Sequence, residues 1–144
     1  MYNTILVGTD GSKSSFLAVR RAAGIAHAVG ARLVLASAYY KASADAMAAS
    51  RGESRTVVGD DVAEEILGDA KAVAMEEGVS EPKLVLQEGS PVEALIAVAT
   101  KEQADLLVVG NRGINSLTGR LLGSVPADAA RQAQCDVMIV HTVD

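Results

Sequence analysis

Cysteine is all but absent from this chain: Cys135 stands alone among 144 residues. A single thiol excludes an intrachain disulfide framework and any metal site built from several thiolates. Its neighbours Gln134 and Asp136 bring no cation to hold it as a thiolate, so an inert, buried thiol is expected. Long apolar runs are missing too. Nothing approaches the ~18 apolar residues that a membrane span requires, and the opening MYNTILVGTD lacks the basic region and cleavage pattern of a secretory signal. The expectation is a cytoplasmic protein that meets no membrane. Positive charge is in deficit, with 13 Lys and Arg against 18 Asp and Glu and a formal charge of -5 at pH 7. Such a surface opposes binding to nucleic-acid phosphates, so no nucleic-acid partner is expected. Two familiar phosphate loops are absent as well. There is no G-x-x-x-x-G-K-[ST], and the first apolar segment ends in VGTDGS instead of G-x-G-x-x-G, which disfavours a Walker-type ATPase and a dinucleotide dehydrogenase. The two histidines, His27 and His141, have no Asp or Ser partner at a sensible spacing, and no paired carboxylates or metal cluster emerge, so vigorous catalysis has no visible machinery.

What is present is a strongly apolar chain, 49% hydrophobic, long enough for one core and too short to promise two, so residues 1–144 read as a single domain. Five short segments recur: TILVG near residue 5, RLVLASAY near 35, KLVLQ near 85, DLLVVG near 108 and DVMIVH near 139. They are nearly continuous in Val, Ile and Leu, which predicts strands covered on both faces, as in a parallel sheet between helical layers. Helical stripes fall between them. Ala18, Ala22, Ile25, Ala26 and Val29 form the first, stopped by Gly30, and Val62, Ile66, Ala70, Val73 and Ala74 form the second, stopped by Gly78. Ser90, Pro91 and Glu93 spell a capping box with proline at the first helical position, opening a third helix with Val92, Leu95, Ile96 and Ala99 as its buried face. A fourth starts near Ser124 and runs to about Gln134. Residues 40–60 show no clear period over much of their length and are expected to form a partly disordered excursion.

Four β-α repeats finished by a strand predict an α/β fold: an open, five-stranded parallel sheet of flavodoxin-like or Rossmann-like type, with helices on both faces and strand order 3-2-1-4-5. In that order the chain reverses direction between the first and fourth strands, so a ligand crevice is expected beyond their carboxyl ends. Asp10 and Gly110 lie there, brought together from a hundred residues apart.

The segment after the fourth strand, GNRGINSLTGRLLGS, packs four glycines into fifteen residues, Gly110 to Ser124. Bare backbone lets several N–H groups converge on an anion where side chains would obstruct it. Gly110 ends the strand and lets the backbone approach a sugar or base. Gly113 permits a turn with positive φ, and Gly123 precedes a helix whose N-cap Ser124 and first-turn amides, including that of Val125, favour a phosphate. Taken without further context, the same glycines also suit a tight surface loop and a cap, and the two readings stand about level.

With VGTDGS at the start and GSVPADAARQAQCDVMIVH at the end, Gly110-x-x-Gly113, nine residues, then Gly123-Ser124 resembles the ATP-binding pattern of the universal stress protein family over essentially the whole chain. The resemblance implies a homodimeric, flavodoxin-like protein acting as a stress-related sensor or regulator by binding an adenine nucleotide: ATP, with or without Mg2+, or AMP or cyclic AMP. It implies that Gly8, Thr9 and Asp10 lie at the nucleotide, Asp10 meeting the ribose or a metal-bound phosphate, and that Ala38 presents backbone to the adenine edge. Gly110, Asn111, Arg112, Gly113, Gly123, Ser124 and Val125 would line the ribose and phosphates. Three departures stand out. Gly8 precedes Thr9 where many nucleotide-binding members have proline or alanine, which implies a looser floor under the base. Pro126 replaces a common serine or threonine, and QCD stands where PCP is frequent. Only Arg112 and Arg120 offset phosphate charge in the loop, with no lysine between Gly110 and Ser124, so either a divalent ion assists or the ligand is a monophosphate such as cyclic AMP. A slow nucleotide hydrolase or nucleotidyl-transferring enzyme of the same fold is the alternative. At the other end of the chain, Val137, Met138, Ile139 and Val140 make an apolar edge strand that invites two-fold antiparallel pairing with a second copy.

Overall fold

The computed structural model describes residues 1–41, 56–111 and 124–142. The elements follow in strict alternation: β1 (Thr4–Gly8), α1 (Lys13–Val29), β2 (Arg32–Tyr39), α2 (Asp60–Glu76), β3 (Lys83–Glu88), α3 (Pro91–Glu102), β4 (Leu106–Gly110), α4 (Ser124–Gln132) and β5 (Asp136–Val140). The strands form one parallel sheet in the order β3-β2-β1-β4-β5. Among the described residues no helix is long and apolar enough to cross a membrane.

Because side chains alternate along a strand, each central strand serves two cores. Ile5, Val7, Leu33, Leu35, Leu106 and Val108 point to one face and pack under α1 and α2. Leu6, Val34, Ala36, Leu107 and Val109 point to the other, under α3 and α4. Near-continuous apolar sequence is therefore what a doubly covered strand needs. The two edge strands depart from that expectation. On β3, Leu84 and Leu86 are 40% and 38% exposed, because a helix layer seated on the middle of a twisted sheet reaches its edge incompletely.

Helix ends are set locally. Ser12 caps α1, its Oγ accepting from Ser15 N at 3.1 Å, and Gly30 ends it in the left-handed region at φ 71°. Ser90 and Pro91 stand at the start of α3 as the sequence requires, but the Ser90 side chain makes no capping hydrogen bond. The buried face of α3 is also rotated from the expected one. Ala94, Leu95, Val98 and Glu102 are buried, while Val92 and Ile96 are only half-buried. Glu102 is buried with its charge matched: its carboxylate takes Arg32 Nη1 at 2.9 Å and Lys83 Nζ at 2.9 Å on both oxygens, and its backbone carbonyl accepts from Arg32 Nη2 at 2.8 Å. The hydrogen bonds from Lys83 and then Arg32 hold the Glu102 carboxyl below its ordinary range. This triad fastens the end of α3 to the beginnings of β2 and β3. Asp105 does the same for β1 and β4, accepting from the Asn3 and Thr4 amides at 2.8 and 2.9 Å. Both anchors lie at the amino ends of the strands, opposite the crevice.

Candidate functional site

The crevice opens where the sheet order reverses, at the carboxyl ends of β1 and β4. Its first wall is the turn from β1 into α1. Thr9 N still pairs with Ala36 O at 2.9 Å, after which the chain breaks away through Gly11 at φ 84°. Asp10 Oδ1 accepts from Ser12 N at 2.9 Å, so a carboxylate already sits at the positive end of α1. The hydroxyls of this turn are tightly engaged. Ser15 Oγ donates to Ser12 O at 2.9 Å, which makes Thr9 the donor in the 2.8 Å contact between Thr9 Oγ1 and Ser15 Oγ, while Thr9 Oγ1 accepts from Gly11 N at 3.1 Å.

The second wall comes from β2 and its continuation. Ala36, Ala38 and Tyr40 line the cleft together with Val57. Tyr40 N donates to Val57 O at 2.9 Å and Gly59 N to Tyr40 O at 2.8 Å, and Val57 is 4% exposed. Val57 is thus a built part of the wall, and its ties to Tyr40 correct the expectation of a loose excursion at that end; residues 42–55 lie outside the described residues. Burial, assisted by the charge of Glu93, raises the Tyr40 phenol above its ordinary value and keeps it a neutral hydroxyl.

The floor and far side come from α3, β4 and α4. Leu95, Val109, Gly110, Val125 and Pro126 all line the same cleft, whose volume with its open mouth is about 820 Å³. The floor is not loose at Gly8. A Cβ on that residue would lie 2.6 Å from Leu95 Cδ2, so the leucine of α3 already fills the space that a larger residue in β1 would occupy.

Of the residues singled out from sequence, Gly8, Thr9, Asp10, Ala38, Gly110 and Val125 come together on this one cleft. Ser124 is the first residue of α4, one place later than a cap. Asn111 sits beside the cleft but its side chain serves the chain end: Oδ1 accepts from Thr142 N at 2.8 Å, and Nδ2 lies 3.2 Å from His141 Nδ1. Arg112, Gly113 and Gly123 lie outside the described residues. Sequence reasoning missed Ser12, Ser14, Ser15, Tyr40, Val57 and Leu95 as lining residues. The serines carried a signal, since Ser12 ends VGTDGS and Ser14 and Ser15 come within the next three residues, whereas nothing near Leu95 in sequence announces its place over Gly8. Among the described lining residues Asp10 is the one carboxylate and no Lys, Arg or His appears. Groups of three or more His, Cys, Asp or Glu able to hold a metal ion are absent among the described residues.

At the sheet's edge, β5 pairs with β4, and no described strand pairs with its outer side. Val140 is buried under α1, Val137 and Met138 are half-buried against the two cores, and Ile139 is 37% exposed.

Comparison with known proteins agrees with this architecture. A model of the universal stress protein family matches residues 1–141. Universal stress protein Rv1636 of Mycobacterium tuberculosis is 52% identical over 146 residues, covering 98% of this chain and 97% of its own. A universal stress protein of Thermus aquaticus is 33% identical, covering 98% of this chain and 100% of its own. Among solved structures, a universal stress protein in complex with cAMP superposes with a TM-score of 0.78 at 43% identity, covering 99% of both chains.

Proposed function

The chain belongs to the universal stress protein family, and on that premise we propose that it is a regulator that binds an adenine nucleotide at the β1/β4 switch, cyclic AMP ahead of ATP. The observation that carries this reading is the make-up of the cleft. Ala36, Ala38, Leu95 and Val109 give apolar walls for a purine, the α1 turn supplies oxygen acceptors for a sugar, and the first turn of α4 supplies the other side. The residues present fit a nucleoside monophosphate: the sugar meets Asp10 and Gly110, and the phosphate faces the start of α4. The bound nucleotide contributes shape and one negative charge, and the protein holds it without breaking a bond.

Charge favours the smaller ligand. A triphosphate brings ~3 to 4 negative charges, and the described lining residues offer it a carboxylate and no cation. ATP would need a magnesium ion carried on its own phosphates, which the Asp10 carboxylate could help to hold. The 43%-identical neighbour solved with cAMP supports the same choice. In this reading the protein works in the cytoplasm as a dimer joined through the outer edge of β5, with Ile139 at the seam, and nucleotide occupancy alters what the dimer contacts.

Calorimetric titration with cyclic AMP and with ATP, each with and without magnesium, tests the proposal. Tighter binding of cyclic AMP that ignores magnesium is expected; equal affinity for ATP in magnesium-free buffer would defeat the charge argument, and no binding of either would defeat the function. Mass spectrometry of small molecules released from the purified protein gives an independent check. A hydrolase or nucleotidyl-transferring enzyme would instead show turnover faster than ligand exchange.

A further inference from the structure

The end of β5 reaches back to the cleft through one residue. Thr142 follows the strand by two positions and packs against Gly110, where an added Cβ would stand 3.2 Å from its Oγ1 and 3.3 Å from its Cγ2. Its hydroxyl accepts from Ser14 Oγ at 2.5 Å and lies 3.2 Å from Asn111 Oδ1. Ser14 is in the first turn of α1 and lines the cleft.

The protons in this cluster are determined by one group that cannot turn. Thr142 N is a backbone donor, so the Asn111 atom 2.8 Å from it must be the amide oxygen. That oxygen has no proton, so the Thr142 hydroxyl in reach of it is the donor. Having spent its proton there, Thr142 Oγ1 must accept, and Ser14 must donate to it. Ser14 then has lone pairs and no proton left for the cleft. Thr9 and Ser15 likewise spend their protons inside the protein. These three hydroxyls therefore meet the cleft as acceptors.

We propose that Ser14 is a specificity-determining residue that accepts a hydrogen bond from the sugar of the bound nucleotide, and that Thr142 and Asn111 position it by holding its proton away from the cleft. The inference rests on the nucleotide reading above. The group it selects is the 2′-hydroxyl, the one sugar hydroxyl that a 3′,5′-cyclic monophosphate retains. Ser14 stands on the β4 side, its Oγ 3.7 Å from where a Cβ on Gly110 would be, with the apolar walls for the base across the cleft on β2. The terminal segment after β5 thereby sets the preference of a pocket built mainly by β1 and β4.

Titrations of the protein with cyclic AMP and with 2′-deoxy cyclic AMP test it. Wild type should prefer the hydroxylated ligand by about tenfold, the scale of one buried hydrogen bond. Ser14→Ala and Thr142→Val should each weaken cyclic AMP about tenfold and leave the deoxy ligand within about twofold, abolishing the preference. Thr142→Ser, which keeps the hydroxyl, should retain it. A merely structural role for Thr142 would weaken both ligands equally, and that result, or an undiminished preference in Ser14→Ala, overturns the inference. Wild type that binds both ligands equally overturns it too while leaving the nucleotide reading intact. Wild type that binds neither overturns the nucleotide reading itself. Urea midpoints of each variant, measured alongside, identify any loss that comes from unfolding.

Discussion

The contact between Gly8 and Leu95 allows a quantitative test of how α3 is seated on the sheet. A methyl group at position 8 would stand 2.6 Å from Leu95 Cδ2, 3.2 Å from Cδ1 and 3.3 Å from Cγ. Carbon atoms rest about 3.5–4.0 Å apart, so the leucine head must retreat by roughly 1 Å. It is 6% exposed and shares a cluster with Leu6, Val34, Ala36, Val98, Leu107 and Val109. The way out that meets no packed neighbour is toward the cleft, which Leu95 also lines. Overpacking of this kind costs about 1–3 kcal/mol, and Gly8→Ala should fall in the lower half because that route is open. Leu95→Ala should cost about 2–4 kcal/mol, toward the low end for a buried leucine, since the hole it leaves joins the cleft and can fill with water. In the double variant the new methyl occupies part of that hole and the clash is gone. Its loss should therefore be about 1–2 kcal/mol smaller than the sum of the single losses. Urea unfolding at one fixed protein concentration, so that any dimer contribution is constant, supplies the three differences. For a chain of this length each kcal/mol corresponds to about 2–4 °C in Tm. Additivity within about 0.5 kcal/mol would refute the packing argument.

Replacing Ile139 with lysine puts a charge on the one well-exposed apolar residue of β5 and should yield monomers; sedimentation showing a dimer at micromolar concentration would count against that edge as the interface. Acid should weaken the fold through Glu102 and Asp105, whose carboxyls are held below their ordinary values of 4.5 and 3.8 by Lys83 and Arg32 and by the Asn3 and Thr4 amides. A depressed folded-state pKa means that the stabilisation is complete above the ordinary value and is lost as pH falls below it toward the folded-state one. The slope of stability against pH between about 5 and 3 should therefore be shallower in Glu102→Gln, even though that variant is less stable near neutrality; an unchanged slope would show that the triad is not what titrates. Gly113→Ala and Gly123→Ala should weaken cyclic AMP binding with little change in the unfolding midpoint, and unchanged affinity in both would remove the glycine segment from the pocket.

The alternation of five apolar runs with four amphipathic stretches was enough to read the layers, the strand order and the position of the cleft. Those features depend on side-chain period and on connection handedness, which are local properties. The placing of Asp10 beside Gly110 followed from topology alone. Side-chain detail was less accessible. On α3 the local pattern did not show that Glu102 would be buried, because its partners Arg32 and Lys83 lie 70 and 19 positions away in sequence. The resemblance set Asn111 among the ligand residues, and only the fold shows that its amide oxygen takes the Thr142 amide. Val57 was lost inside a polar stretch whose neighbours concealed one well-packed residue.

By itself the sequence determined that this chain would bury two cores against a parallel sheet and open a crevice where the strand order reverses, because hydrophobic period and crossover hand act residue by residue along the chain. Which groups face that crevice, and which of them still carry a proton there, was decided only in three dimensions. Leu95 fills the space over Gly8, and Thr142 takes the Ser14 proton, through contacts between residues 87 and 128 positions apart. Close packing and hydrogen-bond direction are properties of meeting surfaces, and those surfaces exist only once the helices are seated.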